Sequence, residues 1–137
     1  MTIFKGSCRC QGVRFEYAGA FGVITVCHCA DCRKLQGGTG VVAAPADRAQ
    51  LRWVAGEHLI REYESSPGKK RAFCSACGSP LYSRRDDAPD VVRLRMGGLD
   101  TPTDVMPAAH IFCADLPPWA SLDDGLPRYA RHEPGRQ

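Results

Sequence analysis

Cys27-His28-Cys29-Ala30-Asp31-Cys32-Arg33-Lys34, CHCADCRK in one-letter code, places three thiols and an imidazole within six consecutive residues. Such a run needs a chemical reason. The 137-residue chain carries eight cysteines, and its length suits one domain with a hydrophobic core of its own. No stretch approaches the roughly 18 apolar residues of a membrane span, and the opening MTIFKGSCRC lacks a charged region followed by an apolar run. The expectation is a soluble, cytoplasmic protein with no membrane partner. In a reducing compartment, cysteines at close spacing point to metal binding or catalysis rather than to disulfides.

The spacing divides the thiols. Cys8 and Cys10 form a C-x-C, Cys27, Cys29 and Cys32 a C-x-C-x-x-C, Cys74 and Cys77 a C-x-x-C, and Cys113 stands alone. In an extended strand, residues i and i+2 face the same side about 6.6 Å apart, so a C-x-C can turn two sulfurs onto one ion. In the C-x-x-C the chain curls around the metal, and Gly78 after it can take a positive φ without steric cost. Zinc takes four thiolates in a closed structural site, and three protein ligands plus an exchangeable position in a catalytic one. Cys27, Cys29 and Cys32 form a self-contained local chelate. Cys8 and Cys10 are left to join Cys74 and Cys77. The expectation is two zinc ions per chain, one closed by four cysteines and one open with three. Strand alternation turns His28 away from the face shared by Cys27 and Cys29, although neutral imidazole is itself a common ligand. Cys113, in HIFCAD, reads as a small buried hydrophobe on a strand, with closure of the three-thiolate site as the lesser alternative. A thioredoxin-like redox pair would need a C-x-x-C at a strand-to-helix turn, which the flanks of Cys74 and Cys77 lack.

Around these clusters the chain reads as short β segments broken by Gly and Pro. GVRFEYAG alternates, with Val13, Phe15 and Tyr17 on one face, and VITVCHC, GVVAAP, LRWVAG, LIREYES, RAFCSAC, PLYSRR, VVRLRMGG and HIFCAD follow. Only ADCRKLQ has a helical look, with Asp31 as its candidate cap. The fold class expected is all-β, made of short, mostly antiparallel strands pinned by metal, with a polar tail over residues 126–137 that frays.

These same segments carry a resemblance. GSCRCQGVRFEY, CHCADCRKLQG, SSPGKKRAFCSACGSPLYSR, GGLD and HIFCADLPPWASLDDGLPRY, in that order, resemble the glutathione-dependent formaldehyde-activating family, which also includes centromere protein V-like proteins. The resemblance implies a β-tent-like zinc-binding domain over residues 1–125. It matches Cys8, Cys10, Cys74 and Cys77 to the structural zinc ligands, and Cys27, Cys29 and Cys32 to the catalytic zinc ligands. The implied activity is of the carbon-sulfur lyase type: addition of a small thiol, glutathione or a relative, to formaldehyde or a related electrophile. One departure bears on the substrate. Family members often carry a basic residue before the Pro-Trp pair, where this chain has Leu116 before Pro117, Pro118 and Trp119. A leucine cannot pair with a glutathione carboxylate. His110 and Trp119 lie in the matching segment, and each reads equally as a pocket residue or a satisfied core residue.

A zinc-binding interaction module or a zinc sensor is the alternative. The formal charge of +3 suggests a nucleic-acid partner only until the metal is counted, because two zinc ions and seven thiolates together bring it to zero. No basic run interleaved with aromatics appears, as a strand-binding surface requires, and no nucleic-acid partner is expected.

Overall fold

A computed structural model describes residues 2–136. As the alternation predicts, the chain is mostly β: β1 (Phe4–Ser7), β2 (Arg14–Tyr17), β3 (Thr25–Cys27), β4 (Val41–Asp47), β5 (Leu51–Ala55), β6 (Ile60–Ser66), β7 (Lys69–Cys74), β8 (Pro80–Arg85), β9 (Val91–Arg95) and β10 (Ala109–Ile111). Among the described residues there is one α-helix, α1 (Ala30–Gln36), where ADCRKLQ was expected to curl. The chain folds as two compact units, Met1–Gly22 with Ala44–Asp104, and Val23–Ala43 with Val105–Gln137.

In the first unit, β1, β2 and β5 form a small antiparallel sheet. Its inner face is the Val13, Phe15, Tyr17 set, each at most 2 % exposed, so the period-two pattern maps directly onto burial. Phe15 stands opposite Trp53, and their rings meet edge to face at 5.5 Å. Trp53 in turn lies 5.7 Å from the ring of Tyr82. The strands β6, β7, β8 and β9 form an antiparallel meander. Ala72, Tyr82 and Leu94 are a direct cross-strand row on its buried face, and they join Phe15, Tyr17, Leu81 and Val92 in one core. Cys8 and Cys74 belong to that core as well, so two of the thiols are packed by the apolar cluster itself.

In the second unit, β10 runs parallel to β3, and β3 runs antiparallel to the first residues of β4. Cys27 is therefore flanked by Ile111 on one side and Val41 on the other. The tail expected to fray is instead paired with β10: His110 N donates to Pro127 O, Tyr129 N to His110 O, and Phe112 N to Arg131 O. A polar sequence does not prevent this, because the bonds are made by backbone groups. Cys113 also departs from its reading. It is half-buried in a 3-10 turn, Cys113–Asp115, entered through Phe112 at φ 56°.

Gly56 shows how closely the loop carrying Cys8 and Cys10 is packed. It sits at φ +75°, and a Cβ there would lie 2.0 Å from the carbonyl oxygen of Gly12. Gly68, at φ +76°, faces open space. Gly68→Ala then meets only the left-handed backbone cost, roughly 1–2 kcal/mol, whereas Gly56→Ala adds overpacking against backbone of about 1–3 kcal/mol. Urea denaturation of both variants should show the larger midpoint loss at Gly56, and an equal loss would contradict this packing.

Candidate metal centres

The closed set is assembled by two loops of the first unit. The loop after β1 is a tight turn in which Cys8 N donates to Val13 O and Gln11 N to Cys8 O, both at 3.0 Å. Gln11 takes φ 63° to close it. The loop after β7 is the expected knuckle: Cys74 N donates to Ser79 O, Gly78 N donates to Cys74 O, and Gly78 has φ +81°. Arg9 N donates to Ser79 Oγ at 2.9 Å and stitches the two loops together. The sulfurs of Cys8, Cys10, Cys74 and Cys77 then lie within 4.8 Å of one another. Cys8 and Cys10 are 3.5 Å apart and Cys10 and Cys74 3.9 Å. Four thiolates about 2.3 Å from a tetrahedral zinc ion sit roughly 3.8 Å from each other. The spacing fits the ion.

The electrostatics fit as well. Hydrogen bonds from the Ser79 hydroxyl and backbone, followed by the Cys10 backbone, push the Cys77 thiol down to about 5. Cys10 goes the other way, to about 11: the Gly12 N–H favours its thiolate, but Cys8, burial and the other two sulfurs outweigh it. Sulfurs this close cannot all carry charge unless a cation joins them.

The three-cysteine set belongs to the strand-to-helix junction of the second unit. Cys27 ends β3, Cys29 is the N-cap of α1, and Cys32 lies in its first turn. Cys29 Sγ accepts from Cys32 N at 3.3 Å, so the thiol replaces Asp31 in the capping role expected for the carboxylate. The reason is positional, since Asp31 is already inside the helix and an N-cap must precede it. Asp115 steadies the same turn: its carboxylate accepts from Ala30 N at 3.3 Å, and its carbonyl accepts from Arg33 at 2.9 Å. Gly37 ends the helix at φ 76°. The sulfurs of Cys27, Cys29 and Cys32 lie within 4.8 Å of one another, and among the described residues no fourth ligating group joins them. The crowding drives the Cys27 thiol far above its ordinary range, first through Cys29, then Cys32, then burial.

His28 stays outside this set, as strand alternation predicted. It is 2 % exposed, and its Nε2 lies 2.8 Å from Nδ1 of His110. His110 Nε2 in turn lies 2.8 Å from Asp124 Oδ2. Burial, reinforced by His110, holds His28 below the usual imidazole value. His110 is therefore a buried, satisfied residue, while Trp119 is 70 % exposed and packs in no core. Sequence reasoning passed over Asp124, Asp115 and Ser79. Their partners lie 14, 85 and 70 residues away, and no local spacing marks them.

With this geometry in hand, comparison with known proteins is informative. A family model described as glutathione-dependent formaldehyde-activating enzyme matches residues 3–115. A crystal structure of a Rhodobacter sphaeroides protein, determined as a structural genomics target, is similar at 26% identity and TM-score 0.61, over 73% of this chain and 91% of that one. No curated protein matches.

The two sulfur sets should fail differently. Cys77→Ser opens a set whose members come from loops 64 residues apart, Cys10 to Cys74, whereas Cys29→Ser opens a local chelate that closes only a short stretch of chain. Cys77→Ser should lower stability to denaturant by at least about 3 kcal/mol, and Cys29→Ser by about 1 kcal/mol. Equal loss of folded protein in the two variants would reverse the division.

Proposed function

The chain belongs to the glutathione-dependent formaldehyde-activating family, and on that premise we propose that it joins a small thiol, glutathione or a close relative, to formaldehyde or a related small electrophile. The reaction is an addition: the sulfur forms a bond to the carbonyl carbon, the carbonyl π bond opens, and the thiol proton ends on oxygen. In this reading Cys8, Cys10, Cys74 and Cys77 hold a structural zinc ion, and Cys27, Cys29 and Cys32 hold the catalytic one.

One observation carries the proposal: the first set offers four sulfurs, while the second offers three with no fourth group beside them among the described residues. The three-sulfur set is what an exchangeable position requires. A zinc ion bound there would supply positive charge that keeps an incoming thiol ionised. That matters because a free thiol with a pKa near 8.5 is only a few per cent thiolate at neutral pH. The chain's own groups do the holding. β10 and β4 fix Cys27 from both sides, the α1 cap fixes Cys29 against Cys32, and Asp115 fixes the helix start. Such preorganisation lowers the cost of bringing thiol and electrophile together.

Substrate recognition is the part where Leu116 bears most directly, since an aliphatic side chain offers no cation to a tripeptide carboxylate. A different small thiol therefore competes with glutathione as the physiological substrate. A zinc-exchanging sensor would use the same open set, but it would not require a thiol to enter.

Cobalt replacement separates these readings, because the visible bands of tetrahedral cobalt respond to a change in sulfur ligation. Glutathione at millimolar concentration should alter the bands, and S-methylglutathione, which cannot ionise at sulfur, should do so far less. Bands unmoved by glutathione and by other small thiols would rule the proposal out. A response to another thiol alone would keep the reaction and replace the substrate.

A further inference from the structure

The meander of β6 to β9 in the first unit sorts its charges by face. Ala72, Tyr82 and Leu94 mark the buried side. The cations that share it by alternation, Lys70 and Arg84, are matched by Glu62, Glu64 and Asp86 at distances between 2.6 and 3.0 Å. The other side is built differently. Arg71 and Arg93 flank Ser83 across the sheet, one on each neighbouring strand, Lys69 stands opposite Arg85, and Arg95 follows two residues after Arg93. On β7, β8 and β9 the positions of this side hold no Asp or Glu, although the exposed Arg85 meets Asp87 of the following turn at 3.5 Å. Like charges directly across a sheet are destabilising, so this gathering of cations on three adjacent strands needs a reason. Its centre is recessed. Ser83 is 1 % exposed and Arg95 8 %, with Lys69, Arg71 and Arg93 half-buried around them. Arg95 Nη1 donates to Ser83 Oγ at 3.3 Å, and Arg71 Nε donates to Ser65 Oγ at 2.9 Å, so serine hydroxyls orient both side chains. Having accepted, the Ser83 hydroxyl still carries a hydrogen, which meets no acceptor among the described residues. Lys69 makes no ion pair among the described residues. Burial, followed by the charges of Arg71, Arg93, Arg95 and Arg85, pushes its ammonium down to about 8. A buried donor in want of an acceptor and a cation held among cations are both met by one kind of partner, an anion.

We propose that this side of the meander receives an oxyanion, a carboxylate or phosphate group of a small molecule, between Lys69, Arg71 and Arg93 and over the Ser83 hydroxyl. The inference stands apart from the sulfur chemistry and from the functional reading above. Its dimensions point to a small molecule. Neighbouring strands lie about 4.8 Å apart and alternate residues about 6.6 Å, so the cations fall within roughly 10 by 7 Å. A nucleic-acid strand would call for a longer groove that tracks its backbone. Guanidinium forks beside an ammonium can hold two or three oxygens of one group at once, a match that a single-atom anion such as chloride does not offer.

Nitrogen-15 spectra of the lysine side chains in the zinc-loaded protein read the site at Lys69. In a buffer of low ionic strength its ammonium should titrate near 8. Inorganic phosphate or succinate, at about 10 mM, should raise that midpoint by roughly one unit or more, a tenfold gain for the charged form. Sodium chloride at matched ionic strength screens the neighbouring charges, and its effect should be clearly smaller. Phosphate and succinate separate the two sources, since the anion bound at the lower concentration names the group. Arg93→Gln should weaken binding of that anion roughly tenfold or more, and Lys70→Gln, on the matched side, should leave it unchanged. A Lys69 midpoint that neither anion moves beyond the effect of chloride overturns the proposal, as does an Arg93→Gln variant that binds the anion as tightly as the wild type. The wild-type titration decides the matter even if the variant fails to fold.

Discussion

Seven sulfurs held in two groups, each within 4.8 Å, are the constraint on which the rest of the molecule depends. Thiols brought this close repel as soon as more than one ionises, and the raised thiol of Cys10, which Cys8 and the other two sulfurs push up against the Gly12 N–H, records that conflict. A divalent cation turns the same crowding into attraction. The first unit is arranged around this fact: Cys8 and Cys74 are core residues, and the turn and knuckle bearing them are stitched by backbone hydrogen bonds. Two of the four sulfurs therefore belong to the apolar core, while Cys10 and Cys77 lie at the surface.

The same element chemistry gives different results in the two units. In the first, sulfurs from loops remote in sequence converge and close a set of four. In the second, a strand end, a helix cap and a first helical turn supply three from a single short stretch. A local chelate of this kind needs little tertiary support to form, so the supporting groups can serve other ends. Asp115 orients the helix, and the buried His28 ring is hydrogen-bonded to His110 and through it to Asp124.

Much of this was legible in the sequence because chelate spacing and strand alternation are short-range signals. The sulfur sets, the burial of Val13, Phe15 and Tyr17, and the turning of His28 away from its neighbours all follow from periods of two and three residues. What could not be read is long-range. The pairing of His28 with His110 depends on the parallel register of β3 and β10, and the two residues are 82 apart. Asp124 sits in an acidic pair with nothing nearby to indicate a histidine partner. The cap of α1 was misread because Asp31 is the better cap by propensity, while the junction places Cys29 at the required position. Trp119, weighed as a pocket or core residue, is exposed, which an aromatic in a Pro-rich segment does not disclose.

The central claim is that both sulfur sets exist to hold metal. Elemental analysis of protein purified anaerobically without added metal tests it most directly, followed by stepwise removal with a chelator. The account predicts zinc approaching two equivalents per chain, with one ion leaving readily from the three-sulfur set and the other retained until the protein unfolds. Folded protein free of metal would contradict the account, as would a single equivalent that no addition of zinc can raise.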